Sequence, residues 1–321
     1  RLGVALQGMA LGGVAYLHAL NYARERIQGV EIQNIKDPNA PRVPIIRHPD
    51  IRRMLMKMKA YTEGLRALLY RSALFADLAK ASPDPKERED GLNRIELLTP
   101  VCKAYAADVG FRLTEWAIQV FGGYGYCGDY PVEQLCRDVK ITSIYEGTNG
   151  IQAMDLVGRK LALKKGALFL GWLKEIGEFI ERHRAHSVFG PWTSRLEQAK
   201  NALVQVTGHF AKTAAEGDRL YPMLQAYPYL ELFGDLEVAR LLLEQALLSR
   251  DRLERAFSQA EATAPEAQAR VIAGQSEAAY LHGKIQGAEF FISQILPRVQ
   301  STASAILSGD RSALEMPEGA F

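Results

Sequence analysis

Along most of the chain, apolar residues recur at spacings of three and four, the stripe that buries one face of an α-helix. Residues 4 to 26 form one apolar-rich helical segment that ends near Gly29. The stretch "NIKDPNAPRVPIIRHPD" (34 to 50) holds four prolines and reads as a loop, because proline lacks an N–H and restricts the residue before it. From Asp50 the helical period resumes through "IRRMLMKMKAYTEGLRALLYRSALFADLAK". The polar stretch "SPDPKERED" (82 to 90) reads as a solvated connection. A helix follows from Gly91 to Val120 and stops at the glycines of "FGGYGYCGDYP". A short helix, "VEQLCRDVK", and the turn "SIYEGTNGIQ" (143 to 152) come next. From Asn149 the pattern is again helical to His186, breaks at "SVFGPW" (187 to 192) and resumes over 194–216, 229–258 and 265–296. The two-residue alternation of strands is missing throughout. These elements predict an all-α chain built as two helical bundles.

Composition narrows the function classes. The 321 residues are 48% hydrophobic, enough to bury a core, and the length is compatible with two domains. Charged residues make up 24% with a formal net charge of +2, which provides no field to hold nucleic acid or a membrane surface. No apolar run approaches bilayer-spanning length, and the opening "RLGVALQGMALGGVAYLHAL" is too rich in glycine and polar residues for a signal peptide. Neither a nucleic-acid partner nor a membrane span is therefore expected. The cysteines, Cys102, Cys127 and Cys136, are odd in number and fit no zinc or redox spacing. Free thiols in a cytoplasmic protein, with no metal site, are the simplest reading.

Three stretches have residues of the kind that carry chemistry. In "FGGYGYCGDYP", four glycines end a long helix; they serve either as a helix cap and turn or as a place where backbone approaches a ligand closely. No strand precedes them, so a Rossmann fingerprint is excluded. In "IYEGTNGIQ", Glu146 precedes Gly147, Thr148, Asn149 and Gly150. A carboxylate there either faces the positive end of the following helix or acts as a base whose pKa is raised in an apolar pocket. Arg1 and Arg26 bracket the first helix, and Arg24, Arg26 and Gln28 lie at its end, where arginines commonly offset the helix dipole. Taken singly, each stretch has a structural explanation that is at least as good as the chemical one.

In this order and spacing, "YARERIQG" (22 to 29), "IRHPDIRRMLMKMKA" and "QVFGGYGYCGDYPVEQLCRDVKITSIYEGTNGIQ" (119 to 152) resemble the C-terminal half of an acyl-CoA dehydrogenase. The resemblance covers residues 1 to 160, as the family's C-terminal helical bundle. Residues 161 to 321 resemble the additional helical domain of a subgroup similar to methylmercaptopropionyl-CoA dehydrogenase. It implies oxidation of an acyl-CoA thioester to trans-2-enoyl-CoA, a carboxylate taking the α-proton while the β-hydrogen leaves as hydride to FAD. By position in the motif, Glu146 matches the base, and Gly147 lets the backbone approach the substrate. Arg26 matches the arginine on the FAD pyrophosphate, and Gln28 lies in the same region, where the usual R-x-x-F-G is shortened to "RIQG". Gln119, Phe121, Gly122 and Gly123 match the turn that meets the adenosine end of FAD. Thr148 and Gly150 match positions beside the flavin, and Arg1 matches an arginine near the acyl-CoA and the base. The resemblance also implies a homo-oligomer, dimer or dimer of dimers, and an electron-transfer flavoprotein or similar acceptor. The family places a helical domain and a β-domain before this segment, so the chain reads as part of an enzyme that alone would not turn over. An acyl-CoA oxidase, or a helical binding module that kept the fold without the chemistry, are the alternatives. Beyond residue 160 no titratable side chain (His183, His186, Arg195 and Glu197 among them) falls in a metal or triad spacing, and "YPYLELFGDLEVARLLLEQALL" reads as packing surface.

Overall fold

A computed structural model describes residues 1–321, and apart from one isolated antiparallel bridge, Ile27 to Pro44, its regular structure is entirely helical. The all-α expectation holds. By internal packing the chain forms two compact units: unit 1 comprises Arg1–Leu69 and Cys102–Asn149, and unit 2 comprises Tyr70–Val101 and Gly150–Phe321. The helices in chain order are α1 (Leu2–Glu25), α2 (Pro49–Ala81), α3 (Pro85–Phe121), α4 (Pro131–Lys140), α5 (Asn149–Gly158), α6 (Ala167–His183) and α7 (Gly190–Ala215). They continue as α8 (Leu220–Leu224), α9 (Ala226–Gln259), α10 (Pro265–Gly274), α11 (Ser276–Phe290), α12 (Arg298–Leu307) and α13 (Ser312–Glu315).

Among the differences from the sequence reading, three have a clear local reason. Helix α3 starts at Pro85 rather than Gly91, because Asp84 Oδ1 accepts from the Lys86 N–H at 2.9 Å and Pro85 sits where no N–H is needed. The segment 149–186 is not one helical run: Lys164, Lys165 and Gly166 adopt φ of +50°, +58° and +84° and turn the chain between α5 and α6. The segment 265–296 breaks at extended Gln275, just after Gly274.

In unit 1, α1 and α3 pack backbone to backbone. A Cβ on Gly110 would lie 2.3 Å from the Gly8 carbonyl oxygen, and one on Gly8 would lie 2.6 Å from that of Ala106. Glycine is required there by space alone. Ala5, Ala15 and Ala19 of α1 are fully buried around this contact, with Met58, Leu65 and Leu68 of α2 in the same core. Helix α1 is long and apolar enough, by length and composition, to cross a membrane, which corrects the expectation that no run approaches that length. Its small-residue face is buried in unit 1, as in a core helix of a globular protein.

Unit 2 is organised on α9, flanked by α6, α7, α11 and α12. Trp172 stacks on Phe233 with ring centroids 3.9 Å apart, and Phe169 packs beside both. Next to the rings lies a charged network. Glu237 is 0% exposed and Arg240 1% exposed. Trp172 Nε1 donates to Glu237 at 2.9 Å; Arg240 donates to Glu237 and, at 2.6 Å, to Glu244. Arg71 and Arg94 both reach Glu175. Burial alone would raise the Glu237 carboxyl, but Arg240, Arg71 and Trp172 outweigh it and hold the group below the usual carboxylate range. The α9 segment read as plain packing surface therefore also buries charges.

Candidate functional site

Between α4 and α5 the chain passes through a 3₁₀ turn, Ile141–Ser143, into two successive left-handed residues. Glu146 has φ +57° and Gly147 φ +87°. Glycine adopts this freely; for a glutamate it costs on the order of 1–2 kcal/mol, and such residues cluster at functional sites. The turn is anchored at both ends. The Tyr145 amide donates to the Ile141 carbonyl at 3.1 Å, and the Tyr145 hydroxyl donates to the Gln7 side chain of α1. On the other side, buried Asn149 accepts from Lys103 Nζ at 2.9 Å and donates to the Ala104 carbonyl at 3.3 Å.

Lys103 escaped the sequence reading. It is 0% exposed, within an unbroken run of buried residues from Val101 to Ala107 on α3. Burial holds its ammonium below the usual lysine value; Asp108 opposes that shift and Arg1 adds to it. The available signal was a lone lysine inside the apolar "VCKAYAA". Glu146 itself is exposed, as are Arg1, Thr148 and Gly150, and Gly147 is half-buried. The dry pocket expected around the base is not formed by residues of this chain.

The second half of the site is a cleft of about 580 Å³ in unit 1, between the end of α1, the 43–51 segment and the end of α3. Arg26, Gln28, Gln119, Phe121, Gly122 and Gly123 all line it. Six positions singled out in sequence, up to 97 residues apart from Arg26 to Gly123, thus meet in one place. Glu146, Gly147, Thr148, Gly150 and Arg1 are not among the lining residues. The shortened "RIQG" is fixed by backbone bonds: Gln28 N–H to the Val43 carbonyl (3.0 Å), Val43 N–H to Gly29 (3.0 Å) and Ile45 N–H to Arg26 (2.8 Å). His48, also a lining residue and missed in sequence, donates from Nε2 to the Gln28 carbonyl at 2.7 Å.

The aromatic wall holds Arg26 in place. Tyr22 stacks on Phe121 (4.1 Å), and the Arg26 guanidinium lies over the Tyr124 ring at 5.2 Å. Burial keeps the Tyr22 phenol above its usual value despite the adjacent Arg26. No carboxylate pairs with Arg26. Gly122 has φ +64°, which serves as the helix end, but a Cβ on either Gly122 or Gly123 would meet nothing within 4 Å. The space in front of both is open cleft. An unpaired guanidinium, two exposed glycines without side chains in the way and aromatic faces fit a dinucleotide's phosphates and base.

Residues 1–161 match the family model of the acyl-CoA dehydrogenase C-terminal domain. The chain belongs to the acyl-CoA dehydrogenase family. Residues 172–317 match a second model, described as acetyl-CoA dehydrogenase C-terminal like. The chain is 32% identical over 324 residues to butyryl-CoA dehydrogenase of Syntrophomonas wolfei subsp. wolfei, covering 100% of this chain and 49% of that protein. It is 32% identical over 316 residues to 3-methylmercaptopropionyl-CoA dehydrogenase of Ruegeria pomeroyi, covering 98% of this chain and 50% of that one. In fold it is similar to Caenorhabditis elegans ACDH-11, solved in complex with C11-CoA, with a TM-score of 0.71 at 19% identity over 98% of this chain and 46% of that one. The chain spans about half the length of the curated relatives it matches.

Proposed function

We propose that this chain provides the base-bearing and cofactor-phosphate-binding helices of an FAD-dependent acyl-CoA dehydrogenase. The observation that carries the reading is Glu146, held at positive φ on a turn anchored through Tyr145 and Asn149. Family membership supports the same chemistry class.

Glu146 takes the α-proton of the acyl-CoA thioester, and Gly147 beside it leaves room for the substrate. When bound, FAD would supply the acceptor for the β-hydrogen, with an electron-transfer flavoprotein or similar acceptor as the partner that would take the electrons. Arg26 would hold the pyrophosphate, Gln119, Phe121, Gly122 and Gly123 would meet the adenosine end, and Gln28 would lie in the same region. Thr148 and Gly150 would lie beside the flavin, and Arg1 near the acyl-CoA. A carboxylate needs a dry environment to remove so weak an acid as the α C–H. Since Glu146 is exposed here, that environment is assigned to polypeptide outside this chain, and the activity to the whole protein in a homodimer.

The test is Glu146→Gln in the whole protein. The amide keeps the shape and cannot accept the proton, so flavin content should persist while turnover with an artificial electron acceptor falls roughly 10²–10⁴-fold. Near-normal turnover would remove Glu146 from the role.

A further inference from the structure

A second cleft, of about 690 Å³, lies within unit 2 and has no part in the proposed dehydrogenation. Its walls come from the end of α5, the 160–166 turn, α7 and α8, and are apolar, with Leu161, Phe210, Pro222 and Met223 among them. Its volume falls within the range of small-molecule sites. Two cations, Lys165 and Arg219, also line it.

Neither cation is paired, although their neighbours are. Lys160 is paired with Glu96 and Lys164 with Glu89. Asp218, next to Arg219 in the chain, is committed elsewhere: it is ion-paired to Arg311 and accepts from the Leu220 and Tyr221 amides at 3.0 and 3.1 Å. Lys165 lines the cleft from a left-handed backbone, φ +58°, which disfavours any side chain but glycine's hydrogen. Gly166, at the N-terminus of the 17-residue α6, lines it as well, adding the positive end of a helix to the two charges. An apolar cleft with uncompensated positive charge at its edge is complementary to an amphiphile with one anionic head and a hydrocarbon tail.

We propose that this cleft binds a free medium-chain fatty acid, its carboxylate between Lys165 and Arg219 and its tail along the α7–α8 wall. The site is separate from the Arg26 cleft and requires neither flavin nor turnover.

The experiment is calorimetric titration of sodium dodecanoate, below micelle formation, into the intact protein and two variants. Ala211→Trp places an indole in the cleft from an exposed position of α7, and the double variant Lys165→Glu/Arg219→Glu reverses the edge charges at two exposed positions. The intact protein should show a saturable class of binding that Ala211→Trp abolishes and the double variant weakens by about tenfold or more. Dodecyltrimethylammonium, with the same tail and the opposite head, should not occupy it. Helical circular dichroism establishes that each variant is folded; should Ala211→Trp fail to fold, the charge reversal and the cationic probe decide. The proposal is overturned if no binding sensitive to Ala211→Trp is seen, as when other polypeptide fills the cleft. It is equally overturned if charge reversal leaves the affinity unchanged, or if the cation binds as well as the anion. Because the readout is binding, failure here leaves the dehydrogenase reading untouched, and the reverse holds.

Discussion

Replacing Asn149 by alanine should destabilise the protein more than removing the lysine it holds. In the native fold Lys103 Nζ donates to Asn149 Oδ1 at 2.9 Å, and Lys103 is 0% exposed. Asn149→Ala deletes the acceptor and leaves the buried ammonium without it. A hydrogen bond to a charged group contributes about 1.5–3 kcal/mol, and stranding a buried charge brings the expected loss to roughly 3–5 kcal/mol. Lys103→Met loses the same bond and orphans Asn149 Oδ1, which costs about 1–3 kcal/mol, but it also relieves the burial of a charge. Its net cost should be about 1 kcal/mol, and the double variant should resemble Lys103→Met rather than the sum.

The same pair gives a pH signature. The folded lysine titrates below its unfolded value of 10.5. Below the folded pKa both states carry the proton and the burial penalty is felt in full. Between the folded pKa and 10.5 only the unfolded state holds the proton, so stability should rise with pH across that window and level off above it. Lys103→Met should remove this component of the rise. Urea unfolding followed by helical circular dichroism, from neutral to alkaline pH, measures both effects. An Asn149→Ala variant no less stable than Lys103→Met, or additive losses in the double variant, would refute the account of a charge held by one amide.

Gly110→Val would push side-chain carbon into the Gly8 carbonyl, 2.3 Å from the position of a Cβ, and should lower stability by about 3 kcal/mol, seen as a drop in thermal midpoint. Arg240→Met leaves the fully buried Glu237 without its main cation and should cost about 3–5 kcal/mol, partly recovered by adding Glu237→Gln; an unchanged melting curve would contradict it. If Arg26 serves the FAD of a neighbouring subunit while Glu146 serves its own, mixing inactive Glu146→Gln and Arg26→Glu whole proteins should restore up to half the activity per heterodimer. No recovery in demonstrated heterodimers would place both residues in one site.

Much of the architecture is local and was legible. The 3.6-residue period marks α1, α2, α7 and α9, Pro38, Pro41 and Pro44 keep 34–48 out of any long helix while Pro49 opens α2, and the glycines after Phe121 end α3. The motif residues are legible as well, since Arg26, Gln28, Gln119, Phe121, Gly122 and Gly123 are marked by their order and spacing in the sequence. Their gathering in one cleft is not. It depends on the ends of α1 and α3 coming together, and that follows from the Gly8–Gly110 backbone contact between residues far apart in the chain. Periodicity tells which face of a helix is apolar, but not which neighbour covers it or how closely. For the same reason a charge at an inward position reads like any surface charge until its partner is known. Lys103 found Asn149, and Glu237 found Trp172, only when the helices packed; Arg240, three residues further along α9, was already within reach of Glu237. Glu146 shows the converse: its residue type and glycine neighbours pointed to a base, while its exposure, and so the dryness a base requires, is a property of whatever polypeptide surrounds it.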